Sequence, residues 1–215
     1  MERDSIARTA IVTDVAERTQ EQYQVRFAWG TGGAARIAHG AHLVVWVDVL
    51  PSSPDAAAQR RALRNATVQL PDGPEVVLGH LGNASAIAER VTGLQSDRGD
   101  RCVVAVVAAG LHHPGALDDA AEAAGETVDV PDAPDFAVED LLAAGAVVDA
   151  LAAVGIDHTS PEAAAACAAY TGLRRAVKHL VTASESAAVL GREPVHAALA
   201  VGPGLVVLRE SRGRA

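Results

Sequence analysis

Short aliphatic runs alternate along this chain with alanine-rich stretches of helical length, and that alternation limits what it can fold into more than any motif does. Runs such as 42–50 and 101–108 are nearly continuous apolar segments bounded by turn residues, as expected of strands buried on both faces. Helices packed on such strands give an α/β class with a largely buried sheet. The chain has 215 residues, 49% of them hydrophobic and 21% charged, enough to bury a core without a disulfide framework or a structural metal. It reads as a single domain over 1–215, with an N-terminal extension over 1–22 and a frayed tail over 209–215.

Tyr23-Gln-Val-Arg-Phe-Ala-Trp29 alternates like a strand, and Gly30-Thr-Gly-Gly33 ends it before a short helical stretch over 34–38. Residues 42–50 form a second strand, broken by Pro51-Ser-Ser-Pro54, after which Asp55 caps a helix running to about residue 64. Extended segments over 68–70 and 76–78 flank the Pro71-Asp-Gly-Pro74 turn, and Gly82-Asn-Ala-Ser85 opens a helix over 86–93. The strongest buried strand is 101–108, while 128–135 reads as an extended loop. Helices follow over 137–154 and over 161–190, the second with Ser160 as N-cap and Pro161 in the first helical position, and 205–208 forms a last strand.

Eighteen basic against 27 acidic residues give a net charge of −9, which lacks the basic footprint of a nucleic-acid binder. The longest apolar runs fall short of the roughly 18 residues of a membrane span. The first residues mix both signs with no leucine-rich stretch after them, so a cytoplasmic protein without a membrane partner is expected. Cys102 and Cys167 lack metal-ligand or CxxC spacing and read as reduced core thiols. A small anionic substrate remains compatible with the charge, because local N–H groups or a bound cation can overrule the sign of the surface. An alanine-rich surface with few aromatics would also favour packing of helices between copies, a homo-oligomer of unspecified symmetry.

In open α/β sheets ligands collect outside the carboxyl ends of strands, which directs attention to the segments after Asp48, Leu78 and Ala108. A carboxylate at Asp48, ending a buried strand, is costly unless it caps a turn, accepts N–H bonds, holds a cation or does chemistry. Glu139 and Asp140 open a helix, where they favour its dipole or serve as a Mg²⁺ ligand or water-positioning base. Being adjacent, their side chains diverge by about 100°, so only one is expected to face a given site. Gly82, Asn83 and Ser85 open another helix, in a geometry that caps it and presents N–H groups to a phosphate. Gly30-Thr-Gly-Gly33 lacks the full dinucleotide or P-loop spacing, and neither ligand is expected there. His112 and His113 follow the central strand and are read as solvated, or as an acid or ligand; Asp118, Asp119 and Glu122 read as a solvated acidic face.

Several blocks, in order from about residue 25 to 186, resemble the 2-phosphosulfolactate phosphatase family. Phe27-Ala-Trp-Gly30 followed by Val44-Val-Trp-Val-Asp-Val-Leu50 is similar to its Phe-Glu-Trp-Gly block and the strand ending in Val-Asp-Val-Leu. Leu81-Gly-Asn-Ala-Ser-Ala-Ile-Ala88 resembles its Leu-Arg-Asn-Ala-Ser-Ala-Val-Ala, and Val138-Glu-Asp-Leu-Leu-Ala-Ala-Gly-Ala146 its Glu-Asp-Leu-Leu-Gly-Ala-Gly-Ala. The resemblance implies a three-layer α/β/α sandwich with a mixed, largely buried sheet, and Mg²⁺-dependent hydrolysis of 2-phosphosulfolactate, in coenzyme M biosynthesis, or of a related phospho-2-hydroxy acid. It further implies that Asp48 and Glu139 or Asp140 hold the metal and do the chemistry, while Gly82, Asn83 and Ser85 orient the phosphate. The chain is a divergent case. Ala28 stands for the Glu of Phe-Glu-Trp-Gly, Leu111 for an acidic residue after the central strand, and Pro51-Ser-Ser-Pro54 and Pro71-Asp-Gly-Pro74 for the usual turns. These departures motivate an alternative expectation, a catalytically degenerate member acting as a binding or interaction protein.

Overall fold

The computed structural model describes residues 19–111 and 134–212. Five strands, β1 (Val25–Trp29), β2 (Leu43–Val47), β3 (Glu75–Gly79), β4 (Val104–Ala108) and β5 (Val206–Arg209), form one mixed sheet in the order β1-β4-β2-β3-β5. The first four pair in parallel, and β5 closes one edge antiparallel to β3. The central strands β2 and β4 read Leu-Val-Val-Trp-Val and Val-Ala-Val-Val-Ala and are buried at every position. Branched side chains covered on both faces are what a parallel sheet between two helical layers requires.

The helices are α1 (Gly30–Ile37), α2 (Ala56–Gln69), α3 (Ala84–Arg98), α4 (Val138–Ala153), α5 (Pro161–Leu173), α6 (Val177–Thr182), α7 (Glu185–Leu190) and α8 (Arg192–Leu199). Val45, Val47 and Val106 point to one face, where they pack with Ile87 and Val91 of α3 and Leu142, Val147 and Leu151 of α4. Val44, Trp46 and Val107 point to the other, against Ala34 and Ile37 of α1 and the partly buried Leu63 and Ala66 of α2. Full burial of a Leu such as Leu142 or Leu151 contributes about 1.5–3 kcal/mol, so α4, buried along most of its length, is the main brace of its layer. α5 crosses α4 closely at Gly145, where an added Cβ would come within 2.7 Å of Tyr170 Cβ and run into the Ala166 carbonyl oxygen.

Several local expectations are corrected. Residues 68–70 are not a strand: α2 continues to Gln69, because Leu63, Ala66 and Leu70 make a helical stripe against the second core cluster, leaving Val68 82% exposed. The single helix expected over 161–190 is three helices, the last restarted by Ser184, whose Oγ accepts the Ala187 N–H. α8 lies beyond the last helix that the sequence pattern predicts. Ser160 caps α5 as expected, its buried Oγ accepting from Ala163 N at 3.1 Å. Arg209 is not part of a frayed tail, since its guanidinium donates to the carbonyls of Thr67, Leu70 and Pro71. Cys102 is buried and Cys167 partly so, both unpaired thiols. Among the described residues no helix is long and apolar enough to cross a membrane.

Candidate functional site

β2 and β4 lie side by side, yet α2 after β2 and α4, which follows β4 in the described chain, cover opposite faces of the sheet. Where neighbouring strands send their connections to opposite faces, a crevice opens outside their carboxyl ends. Asp48 follows β2 directly, its N–H bonded to Gly79 O, and Gly110 lies two residues beyond β4. The N-terminus of α4 closes the crevice from the third side, bringing in Glu139 and Asp140.

Asp140 joins these parts. Its Oδ1 accepts the Val49 N–H at 2.9 Å and its Oδ2 the Gly110 N–H at 2.9 Å, so one buried carboxylate ties α4 to both strand exits. Gly110 can serve because its φ of +74° is open to glycine, and a side chain there would meet Pro134 and the Asp135 carbonyl. Burial, then the Asp48 charge, push the Asp140 pKa well up, and the two N–H bonds oppose that shift. Each Asp140 oxygen accepts one backbone N–H, which favours its charged form against the burial that opposes it. Asp48 itself is pushed up to about 7, chiefly by burial and secondarily by the Glu139 charge.

Glu139 is 2% exposed. Its Oε1 accepts a short hydrogen bond from Ser186 Oγ on α7, while its Oε2 is buried with no hydrogen-bond partner. Only two other buried side-chain atoms among the described residues lack a partner, Trp46 Nε1 and His80 Nε2. All three belong to residues lining two cavities at this end of the sheet, to which α7 and α8 also contribute. Buried polar groups are normally satisfied, so orphans gathered in one place point to a missing ligand or water.

The first cavity, of about 530 Å³, is lined by Asp48, Glu139, Asp140, Trp46 and Ser186 among others. Both Glu139 and Asp140 line it, against the expectation that only one could: the cavity meets the helix end-on, and both side chains of the first turn reach it. The second, of about 590 Å³, shares Asp48, Pro51, Ser52 and Ala62 with the first and extends over His80 toward α8.

Gly82, Asn83 and Ser85 line neither cavity. Asn83 stands at the N-cap position of α3 but makes no side-chain cap bond; it is fully buried, with Oδ1 accepting from His80 N and Nδ2 donating to Leu78 O. It braces the β3 exit instead of capping the helix. Gly82 donates its N–H to His80 Nδ1 at 3.2 Å, and Ser85 is exposed. His112, His113, Asp118, Asp119 and Glu122 lie outside the described residues. Trp46, His80 and Ser186 were not singled out from the sequence. His80 follows the β3 exit, where the strand-end rule pointed, and the serine pair at 184 and 186 carried a helix-start signal that the long apolar pattern obscured.

No group of three or more His, Cys, Asp or Glu able to hold a metal by itself occurs among the described residues. Mg²⁺ does not require one, since it keeps several waters and is bound by one or two carboxylates plus substrate oxygens. The orphaned Glu139 Oε2 beside Asp48 fits that donor set. Comparison with protein-family models and with curated proteins finds no match for this chain.

Proposed function

We propose that this protein is a Mg²⁺-dependent phosphomonoester hydrolase acting on a small anionic phosphoester. The sequence resemblance implies 2-phosphosulfolactate or a related phospho-2-hydroxy acid as the substrate, and a cytoplasmic setting. The observation that carries the reading is the buried, unpartnered Glu139 Oε2 in the wall of a cavity that also holds Asp48. A phosphate entering there meets Asp48, Glu139, Asp140 and Glu185, and the described lining contains no Lys, Arg or His. A bound cation would offset that repulsion.

Mg²⁺, when bound, withdraws charge from the phosphoryl oxygens and acidifies the attacking water. Asp48 and Glu139 would hold it, Asp48 surrendering its proton as the cation enters, so that metal uptake is coupled to proton release. Asp140 acts as a positioning residue, because both its oxygens are engaged by Val49 and Gly110. In hydrolysis the water oxygen bonds to phosphorus as the P–O bond to the alcohol breaks, and one proton of that water ends on the leaving alkoxide, giving the free alcohol and phosphate.

The test is phosphate release from 2-phosphosulfolactate and 2-phospholactate with and without Mg²⁺, on the wild type and Glu139→Gln. Turnover that needs both Mg²⁺ and Glu139 supports the reading, and no release from any phosphoester refutes it. A second reading, a degenerate member that binds without hydrolysing, is favoured by Leu111 and Pro51, two departures from the family pattern that line the cavity itself. Mg²⁺ binding that needs Glu139, unaccompanied by turnover, would select it.

A further inference from the structure

Two of the buried, unpartnered atoms belong to residues in the wall of the first cavity, Glu139 Oε2 and Trp46 Nε1. They differ in what they need, since a carboxylate oxygen accepts and an indole N–H only donates. Trp46 stands on the central strand β2 at 3% exposure, so the indole is fixed by the sheet beneath it. A buried donor without an acceptor is costly, and an oxygen supplied by a ligand would satisfy it. One ligand can answer both orphans only if it carries a cation to Glu139 and a second oxygen group to Trp46.

α2 supplies the matching wall. Ala62, Asn65, Ala66 and Gln69 recur at the i, i+3, i+4, i+7 spacing of one helical face, and all four line the cavity. A helix seated directly on a sheet turns large apolar side chains inward on such a face. Here two alanines leave space, and two amides bring side-chain N–H donors to it. No residue of α2 is buried, so the helix stands over the cavity without filling it. α2 and α4 cover opposite faces of the sheet, which sets the amide-bearing wall apart from Glu139 and Asp140.

We propose that this wall recognises the carboxylate of the substrate, one oxygen of which accepts a hydrogen bond from Trp46 Nε1, with the Asn65 and Gln69 amides at its rim. The proposal rests on the phosphohydrolase reading and deepens it. The phosphoryl group goes to the cation held by Asp48 and Glu139, and Trp46 is the residue that separates a phospho-2-hydroxy acid from a phosphoester lacking the acid. A hydrogen bond to a charged group is about twice as strong as one between neutral groups, so the carboxylate gains from a neutral donor as well as from a cationic one.

The experiment uses two phosphonates that cannot be hydrolysed and that differ at one group. 2-Methyl-3-phosphonopropanoate is 2-phospholactate with a methylene in place of the ester oxygen, and 2-methylpropylphosphonate has a methyl in place of its carboxylate. The chain has two tryptophans, so protein labelled with ¹⁵N-tryptophan gives two indole N–H signals, which Trp46→Phe or Trp29→Phe assigns. With Mg²⁺ present, the acid should move the Trp46 signal downfield and the alkyl phosphonate should leave it in place. Trp46→Phe, which keeps an aromatic ring and removes the donor, should weaken binding of the acid by about tenfold or more in calorimetry and leave the alkyl phosphonate unchanged. Circular dichroism checks the fold of the variant, and the comparison of the two ligands on the wild type stands without it. A Trp46 signal that ignores the bound acid, or that moves equally with both phosphonates, would overturn the proposal, as would failure of the acid to bind. Phosphate release from 2-phospholactate is scored separately. Release beside an unmoved Trp46 signal removes this proposal and keeps the hydrolase reading, whereas no release from any phosphoester removes both.

Discussion

Replacing Asp48 by asparagine tests the electrostatics of the crevice without reference to any substrate. The Asp48 carboxyl, ordinarily near 3.8, is pushed up to about 7 in the folded protein by burial and by the Glu139 charge. The native state therefore holds this proton more tightly than the unfolded chain. Its contribution to stability is fully present below about pH 4, declines as pH rises, and is lost above about pH 7. Each pH unit in that window is worth about 1.36 kcal/mol, giving about 4 kcal/mol as an upper bound. Asp48 keeps some exposure to the cavity, so about 2–4 kcal/mol is the expected range. The amide of the Asp48→Asn variant does not titrate and carries no such charge. Urea unfolding from pH 4 to 8 should show the wild type losing stability relative to Asp48→Asn, with the variant ahead at pH 8 by that amount, or roughly 4–16 °C in Tm. Mg²⁺ at about 100 times its Kd should then recover about 2.7 kcal/mol for the wild type at pH 8 and none for the variant. Parallel stability curves across this range would refute the reasoning.

Three further substitutions probe the frame that holds the site. Gly145→Ala pushes α4 and α5 apart at their closest crossing and should destabilise by about 1–3 kcal/mol or more, read as a lower urea midpoint with an unchanged m-value. Arg90→Met leaves Glu75, 1% exposed and held by Arg90 Nε at 3.0 Å, as an unpaired buried carboxylate; a loss of about 3 kcal/mol is expected, partly reversed by adding Glu75→Gln. Ser160→Ala removes the buried cap of α5 and should cost about 1 kcal/mol by chemical denaturation, without altering Mg²⁺ binding measured by calorimetry.

Much of this architecture was legible in the chain because it is set by local pattern. The Val-rich runs of β2 and β4 can be buried only between two layers, and Asp55 and Ser160 each cap the helix they precede. Asp48, Glu139 and Asp140 were recognisable as candidates because a carboxylate at a strand exit or helix start carries a cost or a role wherever it occurs. Other features depended on partners distant in sequence. Helical stripes of alanine and leucine look alike whether or not the helix breaks, so 161–190 reads as continuous until the core shows which turns it covers. Asn83 looks like a cap until the His80 and Leu78 backbone groups claim both ends of its amide.

Composition and periodicity determined the class and the buried parallel strands, and marked the carboxylates at their exits, since these follow from which residues resist water and at what spacing. The tertiary structure alone decided the division of labour within the crevice. Asp140 accepts two N–H groups that lie 91 and 30 residues away, Glu139 has one oxygen bonded to Ser186 and the other unpartnered, and His80 lines a lobe that adjoins Asp48. Hydrogen-bond satisfaction is a property of where distant segments meet, and no local sequence pattern encodes which polar atom is left over.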